Sequence, residues 1–324
     1  MAQHAHCPVL VVQDEGEIVT KRGSSSPVVV GFDGTEAARA AVSVAAGEAK
    51  LRGSGLRIVH VVQVAPGSSP APGIPRGEVE ANLAEDAAEW ARVMLPEDRI
   101  DVETVDGWAL DELLDRSVGA AMLVLGRGHP GSMGVLLGSI ALGATTRASC
   151  PVLVVGAAMG GAVLSEGLVV VGVDGAEDSE LALEEAFSAA HLRGAQLVVI
   201  HTWRHFVSSG RGDGGSLSRD PLGLDTDRAG DLRATVAPFR ARFPLVEVTE
   251  QLVEGTAARV LVESAARAAL LVVGTRGRGP ITGLLLGSVG QHVVAHARCP
   301  VLVARPRESS APATRTRPSV SRLA

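Results

Sequence analysis

The chain repeats itself, and a duplication constrains the architecture before any single motif is weighed. LRGSGLRIVH at 51–60 returns as LRGAQLVVIH at 192–201, and VGFDGTE at 30–36 returns as VGVDGAE at 171–177. Asp33 and Asp174 stand 141 positions apart, as do His60 and His201. Further on, VDGWALDELL at 105–114 matches VEGTAARVLV at 253–262 with a shift of 148. SCPVLVV at 149–155 matches RCPVLVA at 298–304 with a shift of 149. Two copies of one unit of about 145 residues therefore account for most of the 324 residues. A third fragment, HCPVLVV at 6–12, repeats the last strand of each copy, so Cys7, Cys150 and Cys299 all fall just before a proline in the same element. Repeat ancestry explains these cysteines, which are too few for a disulfide framework or a four-thiolate zinc site.

Within each copy, short β-branched runs alternate with helix-period segments, the pattern of a parallel α/β sheet flanked by helices. In the first copy strands are expected near 27–33, 56–64, 100–105, 121–126 and 151–155. In the second they are expected near 167–173, 196–203, 246–252, 269–274 and 300–304, with helices near 177–193, 226–242, 256–268 and 287–297. Thr35 is placed to cap the first helix, and Asp227 lies near the start of another. Aromatic residues are only 2% of the chain against 46% hydrophobic, so the core must be Ala, Val, Leu and Ile, which suits buried parallel strands. The chain divides into an N-terminal segment 1–26 with the orphan strand, repeats at 27–156 and 167–304, and a basic tail 305–324 with five Arg against one Glu. The tail is expected to be disordered, and the breaker-rich stretches 65–77 and 204–225 are expected to be mobile surface loops. Because CPVLVV is short, apolar and last in the sheet, its simplest partner is the other copy's fifth strand, giving an internal pseudo-dimer, with a homodimer as a further option.

The fourth strand of the second copy runs into Gly274-Thr-Arg276-Gly277-Arg278, and the segment closes at Gly287-Ser288-Val289. Glycines there let backbone amides approach a phosphate, and the helix opened by Ser288 offers its positive dipole end. Arg276 and Arg278 supply compensating charge. Asp174, at the end of the first strand, faces the same crevice if strands one and four are neighbours, and ligands in open α/β sheets bind beyond such strand ends. An aspartate acceptor on one side and phosphate-binding amides on the other describe a nucleotide site.

At these residues the chain resembles the universal stress protein family. Gly274, Gly277, Gly287 and Ser288 fit that family's G-x2-G-x9-G-[S/T] ATP-binding pattern, and VGVDG at 171–175, GLLLGSV at 283–289 and CPVLV at 299–303 fit beside it. The resemblance spans about 27 to 304. It implies a flavodoxin-like, Rossmann-like α/β domain in each copy with strand order 3-2-1-4-5, paired through the fifth strand and binding an adenine nucleotide, ATP with Mg²⁺ at its phosphates. It further implies that Asp174 serves the adenosine end, the glycines and Ser288 the phosphates, and the backbone near His201 and Thr202 the adenine. The first copy departs from the pattern: Gly126, Gly128, Gly138 and Ser139 read G-x-G-x9-G-S, one residue short, with Asp33 as the matching aspartate. One missing residue can displace amides by about 3 Å, so this is the weaker of the two sites and nucleotide is expected mainly in the second copy.

Other signals read blandly. Gly126-Arg-Gly-His-Pro-Gly131 spells a dinucleotide fingerprint, but position 151 is Pro where an acid is wanted. Lys occurs only at 21 and 50, which removes a Walker-type loop. His292 and His296 have zinc spacing without a third ligand, and His4, His6 and Cys7 sit in a terminus. Arg211-Gly-Asp213 is a coincidence in a Gly-rich loop. A net charge of −6 and the scarcity of aromatics argue against nucleic acid. The N-terminus lacks a secretory pattern and no apolar stretch spans a bilayer, so a soluble cytoplasmic protein with no membrane partner is expected. No catalytic triad or acidic metal cluster is evident. A nucleotide-dependent stress-response or signalling module is the leading expectation. A slow ATPase or adenylate-transferring enzyme and a nucleotide-free interaction scaffold are the alternatives.

Overall fold

The computed structural model describes residues 26–63, 76–128, 138–159, 167–175, 178–203, 224–275 and 286–307. The first repeat runs β1 (Val28–Phe32), α1 (Glu36–Arg52), β2 (Leu56–Val62), α2 (Arg76–Arg92), β3 (Ile100–Asp106), α3 (Ala109–Ser117), β4 (Met122–Gly126), α4 (Ser139–Arg147) and β5 (Val152–Val155). The second runs β6 (Val169–Val173), α5 (Asp178–Arg193), β7 (Leu197–Trp203), α6 (Leu224–Arg242), β8 (Val248–Glu254), α7 (Ala257–Ser264), β9 (Leu270–Gly274), α8 (Ser288–His296) and β10 (Val301–Ala304). Among the described residues these ten strands join one sheet in the order β3-β2-β1-β4-β5-β10-β9-β6-β7-β8. Each half therefore has the order 3-2-1-4-5. Pairing within a half is parallel, and β5 meets β10 antiparallel with Leu153 opposite Leu302. The fifth strands thus close on each other and form an internal pseudo-dimer.

The sheet is buried on both faces because successive strand residues point to opposite sides and both sides are apolar. Val28, Val30, Leu153 and Leu302 pack under α1, α2, α5 and α6, while Val29, Leu123, Val154 and Val301 pack under α3, α4, α7 and α8. α1 buries alanines on most of its surface and lies flat between β1, β4 and α5, which only small side chains allow. Thr35 caps α1 as expected, its hydroxyl accepting from the Ala38 amide at 3.2 Å. α7 ends at Ser264, four residues before the expected bound. Cys150 and Cys299 are buried at matching places on one face, where burial pushes both thiols up to about 12. They behave as small apolar side chains.

The start of the tail is not free. Arg305 donates from Nε to the Ala148 carbonyl at 2.6 Å and from Nη1 to the Thr145 carbonyl at 2.9 Å. Arg307 pairs with the buried Glu185 at 2.5 Å. These arginines reach helix-end carbonyls and a buried carboxylate, so 305–307 belong to the fold and not to a disordered tail. The orphan strand, His4, His6, Cys7, the Arg211-Gly-Asp213 tripeptide and the breaker-rich stretches, apart from 76–77 and 224–225, which lie in α2 and α6, fall outside the described residues. Among those described, no helix is long and apolar enough to cross a membrane.

Candidate functional site

β1 lies beside β4 and β6 beside β9, so Asp33 with Gly126, and Asp174 with Gly274, sit at the carboxyl ends of adjacent parallel strands. In the first repeat these ends open a cavity of about 610 Å³. Asp33, Gly126, Gly128, Gly138 and Ser139 all line it, together with His60 at the end of β2. Every first-repeat site residue read from the sequence is therefore gathered at one crevice.

The local geometry explains the residue types. At Gly126 an added Cβ would stand 2.8 Å from the Ala37 carbonyl carbon, so only glycine lets the start of α1 rest on the end of β4. Gly128 has φ +82°, a left-handed conformation that disfavours side chains. Gly138 is the N-cap of α4 and Gly287 that of α8, and neither helix has a side-chain cap or an acid in its first turn. Both helices thus present N-terminal amides without a competing carboxylate, the arrangement that holds an anion. On the opposite wall, Asp33 Oδ1 accepts from the Thr35 amide at 3.1 Å and the Thr35 hydroxyl at 2.6 Å.

The shortened loop and its counterpart anchor their helices alike. Arg127 accepts the Gly138 amide on its carbonyl at 3.1 Å, and Thr275, its counterpart, accepts the Gly287 amide at 2.9 Å. The N-cap dihedrals agree as well, φ −55° and ψ 144° at Gly138 against φ −58° and ψ 156° at Gly287. The anchors therefore match, while most of the amides between them, where the missing residue falls, lie outside the described residues.

The second repeat gathers its residues less completely. A cavity of about 530 Å³ is lined by Thr202, Trp203, Gly255, Thr256, Ser288, Val289 and His292, among others. Asp174, Gly274 and His201 do not line it, and Arg276, Gly277 and Arg278 lie outside the described residues. Asp174 Oδ1 accepts from the Ser179 hydroxyl at 2.9 Å. His201 turns its ring onto its own sheet: Nδ1 donates to the Val173 carbonyl at 3.0 Å, as His60 Nδ1 donates to the Phe32 carbonyl at 2.8 Å. Each histidine thereby holds the carbonyl just before the site aspartate. His296 Nδ1 bonds the His292 carbonyl at 2.8 Å, a contact local to α8, and no metal-binding cluster occurs among the described residues.

Sequence reasoning missed Trp203, which lines the second cavity beneath the Arg228 guanidinium at 5.1 Å from its ring centroid. The duplication hid it, because position 62 of the first copy is Val. It also missed Arg127, whose guanidinium crosses into the second repeat.

The universal stress protein family model matches residues 25–156 and again 168–305. Universal stress protein Rv2623 of Mycobacterium tuberculosis is 35% identical over 300 residues, covering 87% of this chain and 97% of that protein. A universal stress protein of Mycolicibacterium smegmatis is 34% identical over 301 residues, covering 86% and 97%. The crystal structure of a universal stress protein from Archaeoglobus fulgidus superposes with a TM-score of 0.60 at 21% identity, covering 87% of this chain and 98% of that one, which speaks to the fold. Matched in both repeats and aligned with its relatives over nearly their whole length, the chain belongs to the universal stress protein family as a tandem member.

Proposed function

We propose that the chain binds an adenine nucleotide, ATP with Mg²⁺ on its phosphates, in the crevice of each repeat, and works as a nucleotide-dependent stress-response module. The observation that carries this reading is the first crevice, where an aspartate, a glycine turn and an uncapped helix N-terminus converge on one cavity of about 610 Å³. That volume falls in the range of small-molecule and cofactor sites, roughly 300–1,000 Å³. The phosphates would lie against the amides that open α4, with Ser139 donating its hydroxyl, and Asp33 would accept from the sugar end. Ser288, Val289 and Gly287 would take the same part at α8, with Asp174, Gly274, Gly277 and the Arg276 and Arg278 cations around them. The backbone at His201 and Thr202 would face the base. Mg²⁺ would offset phosphate charge that neither helix dipole neutralises alone. Nucleotide alters the module only by favouring one arrangement over another, so binding is the first thing to establish.

The test is a calorimetric titration of ATP with Mg²⁺ into the unmodified chain, Gly138→Asp and Gly287→Asp. A Cβ at Gly138 meets only ordinary contacts, the nearest at 3.5 Å, and both glycines have negative φ, so the substitutions add charge more than strain. Two sites in the unmodified chain, with one lost in each variant, is the expected result. No binding by heat or by an independent probe, in folded nucleotide-free protein, overturns the reading.

A further inference from the structure

One arginine ties the two crevices together. Arg127 stands between Gly126 and Gly128, and its main chain serves the first crevice: the amide donates to the Val155 carbonyl at 2.7 Å and the carbonyl accepts from the Gly138 amide at 3.1 Å. Its side chain leaves the repeat. Nη1 donates to the carbonyls of Ala297 at 2.9 Å, Ala295 at 3.0 Å and Val294 at 3.3 Å, the C-terminal end of α8. Carbonyls there have no partner within the helix and carry the negative end of its dipole, so a guanidinium is well held. α8 is nine residues, about 13 Å long, and its other end opens at the second cavity with Ser288.

The pseudo-symmetry sharpens the assignment. α4 receives its C-terminal guanidinium from Arg305, a residue beyond β10 and outside both crevices. The counterpart of Arg305 in the first repeat is Gly156, by the shift of 149 that relates the fifth strands. A Cβ on Gly156 would stand 2.7 Å from Arg127 Nη2, so Arg127 fills the room that a residue like Arg305 would need. The duplicated interaction is kept while its donor has moved into the first crevice's phosphate turn.

We infer that Arg127 is a positioning residue for the second crevice, which makes nucleotide binding there depend on the turn that the first crevice's phosphates touch. The inference rests on the nucleotide reading above, and any such dependence is reciprocal between the sites.

The full-length chain tests it. With the first crevice closed by Gly138→Asp, Arg127→Ala should weaken ATP·Mg²⁺ at the second crevice roughly five-fold, the size of a lost helix-end charge. Arg127→Lys should fall between, because an ammonium still donates to those carbonyls, and it keeps the test alive if the alanine variant folds poorly. Arg305→Ala should leave the second crevice unchanged and weaken the first when Gly287→Asp closes the second. An unchanged second-crevice affinity in Arg127→Ala overturns the inference, as does an equal loss in Arg305→Ala, which would mark general loosening. No ATP binding to the unmodified chain removes the nucleotide reading itself, a result distinct from intact binding that ignores Arg127.

Discussion

At single residues, identical substitutions should have opposite signs. A methyl group on Gly126 meets the Ala37 carbonyl carbon at 2.8 Å and the Ala38 nitrogen at 3.0 Å, which are backbone and cannot swing aside. Gly126→Ala should therefore cost about 1–3 kcal/mol by pushing α1 off β4. Gly230 lies exposed in α6 with nothing within 4 Å of an added Cβ, so Gly230→Ala should gain about 1 kcal/mol from helix propensity. Denaturant unfolding of both variants checks the pair, and a stabilised Gly126→Ala would show that the contact between α1 and β4 is not tight. Much of the first crevice was legible at this scale, because Asp33, Gly126, Gly128, Gly138 and Ser139 each have a counterpart of the same type in the second copy, in the same order. What was not legible depends on the third dimension. Nothing in Gly126-Arg127-Gly128 says that the arginine reaches a helix 167 positions away, nor that the shorter loop keeps the same anchor.

Among the elements, β3 is an edge strand that is tied down by charge. Glu103 accepts from Arg116 of α3, Nε to Oε2 at 2.8 Å, and Arg116 also donates to Glu112 at 2.8 Å. The Arg116 hydrogen bond holds the Glu103 carboxyl below its ordinary range, against a smaller opposing effect of burial. A carboxyl depressed in the folded chain binds fewer protons there than when unfolded, so it adds stability above its unfolded pKa near 4.5. That contribution is lost as pH falls through the lower folded value. Melting temperature should thus fall on acidification below about pH 4.5 less steeply in Glu103→Gln than in the unmodified chain, while the two curves run parallel above pH 6. Equal acid slopes would mean that the clasp adds nothing beyond solvated charges. The strands themselves were legible to within about two residues, since most of the β-branched runs end at glycine or acid. α7 was read too long because 265–269 is alanine and arginine, good helix formers without a stop signal. Its end is set instead by the need to enter β9 at Leu270, two residues after the Ala268 amide closes on the Ala265 carbonyl.

For the whole molecule, the question is why the two repeats choose each other. Backbone pairing of β5 with β10 is nearly sequence-blind, and the residues opposite one another are all Val or Leu. The discriminating contact lies over the sheet, between α1 and α5, where Glu48 is fully buried and pairs with both Arg193 and Arg52, the latter at 3.4 Å. Arg52 and Arg193 are counterparts 141 positions apart, whereas the counterpart of Glu48 is Ala189. One carboxylate therefore serves two arginines near the pseudo-two-fold axis, and two second repeats meeting alike would bring Arg193 against its copy without a carboxylate. The cluster is incompletely satisfied, since Glu48 Oε2, Arg52 Nε and Arg193 Nε lack hydrogen-bond partners. Buried charge of this kind adds little stability over a well-packed apolar replacement but is costly to break by halves. Glu48→Ala should accordingly lose about 3–5 kcal/mol, because it strands the buried Arg193 guanidinium and takes the partner from the partly exposed Arg52. Glu48→Leu with Arg193→Met should recover most of that loss while lowering the preference of the repeats for each other. Unfolding free energies measure the first effect, and mixing separately tagged full-length chains to detect exchange into dimers measures the second. A single variant within 1 kcal/mol of the unmodified chain, or a double variant that stays strictly monomeric beside a monomeric parent, would remove the cluster from the pairing code and leave the helix shapes to carry it.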